Sequence, residues 1–370
     1  AVDHSPSPCP IPHSVVLCGV LRGAAMAAMI AEDAGSLGGA WARRPFADLT
    51  NVVAGGAAPG IDADAMAAGC GGDVCCGGGH TVAVEKPSAP AGDACQSLFL
   101  PGHLKARIAA MADNADPQQV TEYTASIFSQ MLMREGQGAP QVGAVLAQRE
   151  INGRMRAILN DWLIEVQQHF RLRRETLFLA VALVDRYLSR VPIRRRRLQL
   201  LGVAAMLVAS KFEEIHPPET AQLLYISDNA YTAQELLLAE TALLRTLDYE
   251  VAIPTVVHFL GPLQAANECD AAHRELVWYI ASLSLLDVHL LRFPPSILAA
   301  AALLLSNEVR GRRQMWPKAV ADRCGYCEQE LWPCAEELRF LHRAVAADSL
   351  KALRQQFSSE KHYGVATAQF

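Results

Sequence analysis

The chain has 370 residues, enough for one large domain or two medium ones, each with its own core. A net charge of −5 and the lack of a long basic stripe argue against nucleic acid as the main ligand, because neutralising phosphates needs clustered Lys and Arg; protein is the expected partner. Ten cysteines in so long a chain are not a disulfide scaffold, which is a device of small secreted domains, and they fit a reducing compartment, nucleus or cytoplasm.

Residues 1–118 are rich in Gly, Pro, Ala and Ser, carry little charge and show no helical period, so a disordered tail is predicted there. The chain begins at Ala1 rather than Met, so a missing or processed N-terminus is expected. The apolar stretch from Val15 to Ala31 is broken by Gly19, Arg22 and Gly23, which makes it a poor spanning helix and an imperfect signal peptide; no membrane role is expected. Cys70, Cys75, Cys76 and His80 could supply four zinc ligands, but their spacing fits no common module, and no metal or other cofactor is expected.

From Gln119 onward apolar residues recur at helical spacing, with Pro or Gly between segments, and no convincing strand set is present. The spacing predicts helices over Val120–Arg134, Gly153–Phe170, Arg174–Ser189, Arg196–Glu214, Pro218–Tyr225 and Thr232–Leu247. A second set follows: Pro254–Asn267, Ala272–Asp287, Pro295–Arg310, Trp316–Cys324 and Glu328–Ala347. In each set the third helix of the five, Leu198–Ser210 and Ser296–Leu305, is apolar all round and must sit at the centre of a bundle. The expectation is an all-α chain of tandem five-helix repeats, 119–252 with a preceding N-terminal helix and 253–370, joined near Tyr249–Ile253. Arg194, Arg195, Arg196 and Arg197 are expected at a solvated helix start, and Cys324-Gly325-Tyr326-Cys327 as punctuation between helices, since no βαβ context supports a redox motif.

Met155, Leu159 and Trp162, at spacings of four and three, share one helix face. They belong to the run Met155-Arg156-Ala157-Ile158-Leu159-Asn160-Asp161-Trp162-Leu163. Further on stand Asp185-Arg186-Tyr187-Leu188-Ser189, Leu198-Gln199-Leu200-Leu201-Gly202 and Ala209-Ser210-Lys211-Phe212-Glu213-Glu214-Ile215-His216-Pro217-Pro218-Glu219. These words, in this order and at these separations, closely resemble the mitotic cyclins of A and B type; the likeness covers about residues 120 to 365 and is looser in the second repeat. The closing Lys361-His362-Tyr363-Gly364-Val365 looks more A-type than B-type, with Tyr and His in the opposite order to the family's usual one.

The resemblance implies tandem cyclin boxes and a non-enzymatic subunit that binds and activates a cyclin-dependent protein kinase in control of the cell cycle. No Gly-rich phosphate loop, nucleophile elbow or metal triad suggests chemistry of the chain's own. The kinase-facing residues it implies are Tyr123, Ile127, Lys211, Phe212, Glu213, Glu214, Leu237, Glu240 and Leu244; an aromatic ringed by charge suits an interface centre. Met155, Ile158, Leu159, Trp162, Glu165, Leu198 and Gln199 are implied to form a shallow groove for Arg-x-Leu segments of substrates and inhibitors, with Glu165 facing the guanidinium. Arg156 and Asp185 are implied to pair inside the first bundle. In the tail, Arg43, Phe46, Leu49 and Asn51 resemble a destruction box read by the ubiquitin ligase of mitosis, with Phe46 where Leu is usual. The rival reading, a cyclin-like adaptor of the transcription machinery, would call for a basic face and a zinc ribbon, which the charge and the Met155–Trp162 run do not suit.

Overall fold

The computed structural model describes residues 123–347 and 350–368, and among these residues every regular element is a helix. The first bundle comprises α3 (Gly153–Phe170), α4 (Arg174–Arg190), α5 (Leu198–Glu213), α6 (Thr220–Ile226) and α7 (Ala233–Thr246). The second comprises α8 (Val256–Ala266), α9 (Ala271–Leu283), α10 (Pro295–Val309), α11 (Lys318–Cys324) and α12 (Glu328–Ala347). Three further helices, α1 (Thr124–Arg134), α2 (Val142–Leu146) and α13 (Ala352–Phe357), lie outside this repeat.

Local sequence explains where the helices start. Asn152 accepts a hydrogen bond from the Met155 amide at 2.8 Å and so caps α3, which ends at Arg171 in the left-handed region (φ 54°). Capping boxes open α6 (Glu219 with Gln222) and α7 (Thr232 with Glu235), and Asp270 caps α9 through the His273 amide. Every residue of α5 from Leu198 to Ser210 is buried, as is every residue of α10 from Leu298 to Asn307. A helix with no polar face has to be surrounded: α5 packs on α4 and α7, and α10 on α8 and α12. Gly202 lets α5 approach α3, because a Cβ there would stand 2.7 Å from Leu159 Cδ1.

The two bundles share buried polar joints. Arg156 Nε and Nη2 donate to the two carboxylate oxygens of Asp185 at 2.5 and 2.7 Å, both side chains being 1% exposed. Arg156 Nη1 (3.0 Å) and Asn160 Nδ2 (2.6 Å) both reach the Leu285 carbonyl beyond α9. The implied pair is therefore present, and it also ties the first bundle to the second. It lines a cavity of about 200 Å³ between the bundles. At the end of α1, Glu135 accepts hydrogen bonds from the Ser296 amide (2.9 Å) and hydroxyl (2.7 Å), capping α10 where Pro294 has no side chain able to do so. Burial pushes the Glu135 carboxyl above the usual carboxylate range, and the two Ser296 bonds pull it partly back.

Beyond α12 the chain returns to both bundles. The Ala352 amide donates to Asp161 on α3 at 3.0 Å, and Phe357 packs on Tyr279 of α9 with ring centroids 5.5 Å apart. His362 Nδ1 lies 2.6 Å from Glu275, which also holds Arg174 of α4 through two bonds of 2.6 and 2.9 Å. The C-terminal segment is thus a strap across the seam.

Candidate functional site

The exposed apolar and charged groups of the first bundle converge where α5 ends beside α7. Lys211 sits in the last turn of α5, where the helix dipole favours a cation, and its Nζ contacts Glu240 Oε1 at 2.6 Å. Leu237, Glu240 and Leu244 stand at i, i+3 and i+7, so they share one face of α7, with Leu244 half-buried at its edge. Around the ion pair Phe212 is 53% exposed and Leu237 48%. Ile215, two residues past α5, is 91% exposed, a group that the sequence reading did not single out although it stands inside the quoted word. So open an array of large apolar side chains on a folded chain is the signature of a contact surface.

One of the implied kinase-facing carboxylates, that of Glu214, has partners within the first bundle. Glu214 accepts hydrogen bonds from the Arg173 amide (2.7 Å) and the Thr176 hydroxyl (2.5 Å), so it caps α4, whose own N-cap residue supplies no side-chain bond. The Glu213 carbonyl accepts from Arg173 Nη1 at 3.4 Å, and both glutamates are half-buried. Tyr123 and Ile127 are exposed on α1, which is anchored on the second bundle through Phe128 edge-on to Phe259, centroids 5.6 Å apart. α1 is also held to the linker, where Arg134 donates to the Ala252 carbonyl at 3.2 Å.

The stripe implied to wall an open groove is almost wholly covered: Met155 is 2% exposed, Ile158 7%, Leu159 0%, Trp162 4%, Leu198 0% and Gln199 5%. The reason is the close approach at Gly202, which seats α5 against this face of α3. Glu165 alone of the set is half-buried. Yet the covered face is not satisfied as a core should be. Among the described residues, Trp162 Nε1 and Gln199 Nε2 have no hydrogen-bond partner, although Gln199 Oε1 accepts from Tyr231 at 3.3 Å. An unpaired buried donor costs about 1–3 kcal/mol, so two on one face mark a place where acceptors are missing. Arg195, at the foot of α5, likewise has Nε and Nη2 covered and unpartnered, and Arg197 pairs with Glu235 at 3.0 Å; the arginine run is not a uniformly solvated helix start.

The Cys324 thiol is buried and donates to the Val320 carbonyl at 3.3 Å, and burial pushes it up to about 11, so it is protonated rather than nucleophilic at neutral pH. Gly325 at φ 80° closes α11 in the left-handed region. Among the described residues no three His, Cys, Asp or Glu side chains gather as metal ligands, and no helix is long and apolar enough to cross a membrane. Arg43, Phe46, Leu49 and Asn51, and the Cys70–His80 cluster, lie outside the described residues.

Residues 126–252 match the family model described as "Cyclin, N-terminal domain" and residues 254–370 that described as "Cyclin, C-terminal domain". The chain is 36% identical to cyclin-A2 of Gallus gallus over 289 residues, covering 77% of this chain and 73% of that protein. It is 38% identical to the G2/mitotic-specific cyclin-B of Patella vulgata (67% of this chain, 60% of that protein). Against cyclin-A1 of Homo sapiens it is also 38% identical (67% and 53%), so it spans less than two thirds of the length of these last two relatives. The solved viral cyclin of herpesvirus saimiri superposes with a TM-score of 0.53 at 22% identity, covering 58% of this chain and 96% of that one, a likeness of fold. The chain belongs to the cyclin family, and its relatives at this level of identity are cell-cycle cyclins of the A and B types.

Proposed function

We infer that this cyclin switches on a cyclin-dependent protein kinase through the surface at the end of α5 and along α7, and holds substrates through a separate face of the first bundle. Catalysis belongs to the kinase; the cyclin contributes a rigid surface that biases the kinase's mobile elements toward their active arrangement. The observation that carries this reading is the exposed Lys211, paired with the half-buried Glu240 and set among Phe212, Ile215 and Leu237. With its lysine half in solvent in the free chain, such a pair contributes modest stability; desolvated under a partner, truncating either member costs about 2–5 kcal/mol of binding.

The unpartnered Trp162 and Gln199 donors support the second half. An extended segment can bring main-chain carbonyls to such donors, and its leucine needs the apolar surface around Ile158 and Leu198, so an Arg-x-Leu segment seats here with a modest outward movement of the covering side chains. Timed destruction through Arg43, Phe46, Leu49 and Asn51, and residence in nucleus and cytoplasm, belong to the same reading and rest on the sequence pattern.

The test is reconstitution of the full chain with a purified cyclin-dependent kinase, measuring phosphorylation of a short peptide and of a protein bearing Arg-x-Leu. Activation on both, with the protein strongly preferred, is expected. Absence of activation on either substrate would remove the kinase reading, and equal rates on the two would remove the docking face.

A further inference from the structure

A second concavity, of about 620 Å³, opens where the end of α3, the start of α4, α9 and the C-terminal strap meet. Its size suits a ligand of several residues' side-chain bulk rather than a single ion. Arg171, Arg173, Arg174 and Lys361 line it, against one carboxylate, Glu275, in a chain whose net charge is −5. Glu275 does not oppose an incoming anion, because it is already engaged by Arg174 at 2.6 Å and by His362 at 2.6 Å. Arg174 is further fixed by lying over the Trp278 ring at 4.7 Å and the Phe357 ring at 5.7 Å.

The remaining cations are lightly engaged. Arg171 and Lys361 are exposed and form no ion pair among the described residues, and the Arg173 guanidinium, 55% exposed, makes a 3.2 Å contact with Glu175 and a 3.4 Å bond to the Glu213 carbonyl. Three basic side chains brought together from α3, the α3–α4 turn and the strap repel one another unless an anion sits among them. A phosphate ester suits this better than a carboxylate, since it carries nearly two charges and three acceptor oxygens that several cations can share. Arg173 also reaches the Glu213 carbonyl at the end of α5 at 3.4 Å, and its amide donates to the Glu214 carboxylate, so the concavity adjoins the surface assigned to the kinase.

We propose that this concavity binds a phosphorylated residue of a protein segment, holding a substrate that the partner kinase has already modified close by for further phosphorylation. The proposal rests on the kinase reading for the source of the phosphate, whereas the anion site itself stands on the cleft alone. It is therefore tested on the isolated full chain, without kinase. A fluorescein-labelled phosphothreonine pentapeptide (Gly-Ala-phosphothreonine-Ala-Gly), its unphosphorylated twin and inorganic phosphate are titrated against the wild type and against Arg171→Gln with Lys361→Gln, with Lys361→Glu as a second variant should the first unfold.

The expected result is saturable binding of the phosphopeptide that weakens about tenfold in either variant and with added salt, no binding of the twin, and weaker competition by inorganic phosphate. Unchanged phosphopeptide affinity in a folded variant, or equal binding of the twin, overturns the proposal. Inorganic phosphate binding as tightly as the peptide would assign the site to the free anion and overturn the role of the protein segment. Activation of a kinase on a short unphosphorylated peptide is expected to be the same in wild type and variants. Loss of that activity in wild type while phosphopeptide binding persists would count against the kinase reading and not against the site.

Discussion

Replacing Asp185 with Leu tests the seam between the two bundles. Asp185 and Arg156 are each 1% exposed, and beyond their two bonds of 2.5 and 2.7 Å Arg156 has one other hydrogen-bond partner among the described residues, the Leu285 carbonyl. Asp185→Leu strands a guanidinium in the interior, a loss of about 3–5 kcal/mol, a large part of a domain's total stability. Arg156→Met strands the carboxylate and costs about as much, but leaves the Leu285 carbonyl satisfied, because Asn160 also donates to it at 2.6 Å. The double variant, Arg156→Met with Asp185→Leu, removes both charges and should recover most of the loss, since a buried pair and an apolar replacement of similar volume are close in free energy. Urea unfolding followed by helical circular dichroism measures all three. A loss below about 1 kcal/mol for Asp185→Leu, or a double variant as unstable as the sum of the singles, would refute the account of this joint.

Four other outcomes are expected. Lys211→Ala with Glu240→Ala should leave the melting temperature within a few degrees of wild type while kinase activation is lost, because the double change strands no charge and Lys211 is half in solvent in the free chain; normal activation in a histone-kinase assay would contradict this. Gln199→Met removes one unpartnered donor, so it should hold or raise stability by up to about 1 kcal/mol, yet slow phosphorylation of an Arg-x-Leu protein without slowing that of a short peptide; unchanged kinetics would mean the face is core only. Gly202→Ala forces Leu159 aside and should cost about 1–3 kcal/mol, read as a lower unfolding midpoint. His273 is 1% exposed, and burial first, then Arg312 and Arg310, lower its pKa to about 4. The unfolded chain takes up that proton near pH 6.5 and the folded chain does not, so stability falls as pH drops from about 6.5 toward 4, by roughly 2 kcal/mol at pH 5, and His273→Gln should flatten this slope.

The repeat was legible in the sequence because its central helices α5 and α10 lack any polar face, a pattern only the middle of a bundle explains. Boundaries shifted where capping chemistry, and not apolar spacing, decides them: α6 starts at Thr220 because Glu219 and Gln222 close a capping box, two residues past the expected Pro218. The helices α2 and α13, of five and six residues, were missed because one turn and a half shows no period. At the site, Lys211 and Glu240 were assigned from the resemblance alone, and their contact across 29 residues carries no local signal of its own. Glu214 was assigned to the kinase-facing surface by the resemblance; its hydrogen-bond partners Arg173 and Thr176 lie about forty residues earlier, beyond the reach of any local pattern. Leu198 was expected at the centre of a bundle from its all-apolar helix, whereas Met155 and Leu159 were assigned to an open groove by the resemblance, because spacing names a helix face and not what lies across it.

The central claim, that a kinase docks where α5 ends beside α7, is tested most directly by amide hydrogen exchange of the full chain with and without a cyclin-dependent kinase. The account predicts slowed exchange confined to residues around 210–216 and 237–244, with the exposed face of α12 at Phe340 unchanged. Protection centred on α12, or none at 210–216 under conditions where the kinase is bound, would contradict it.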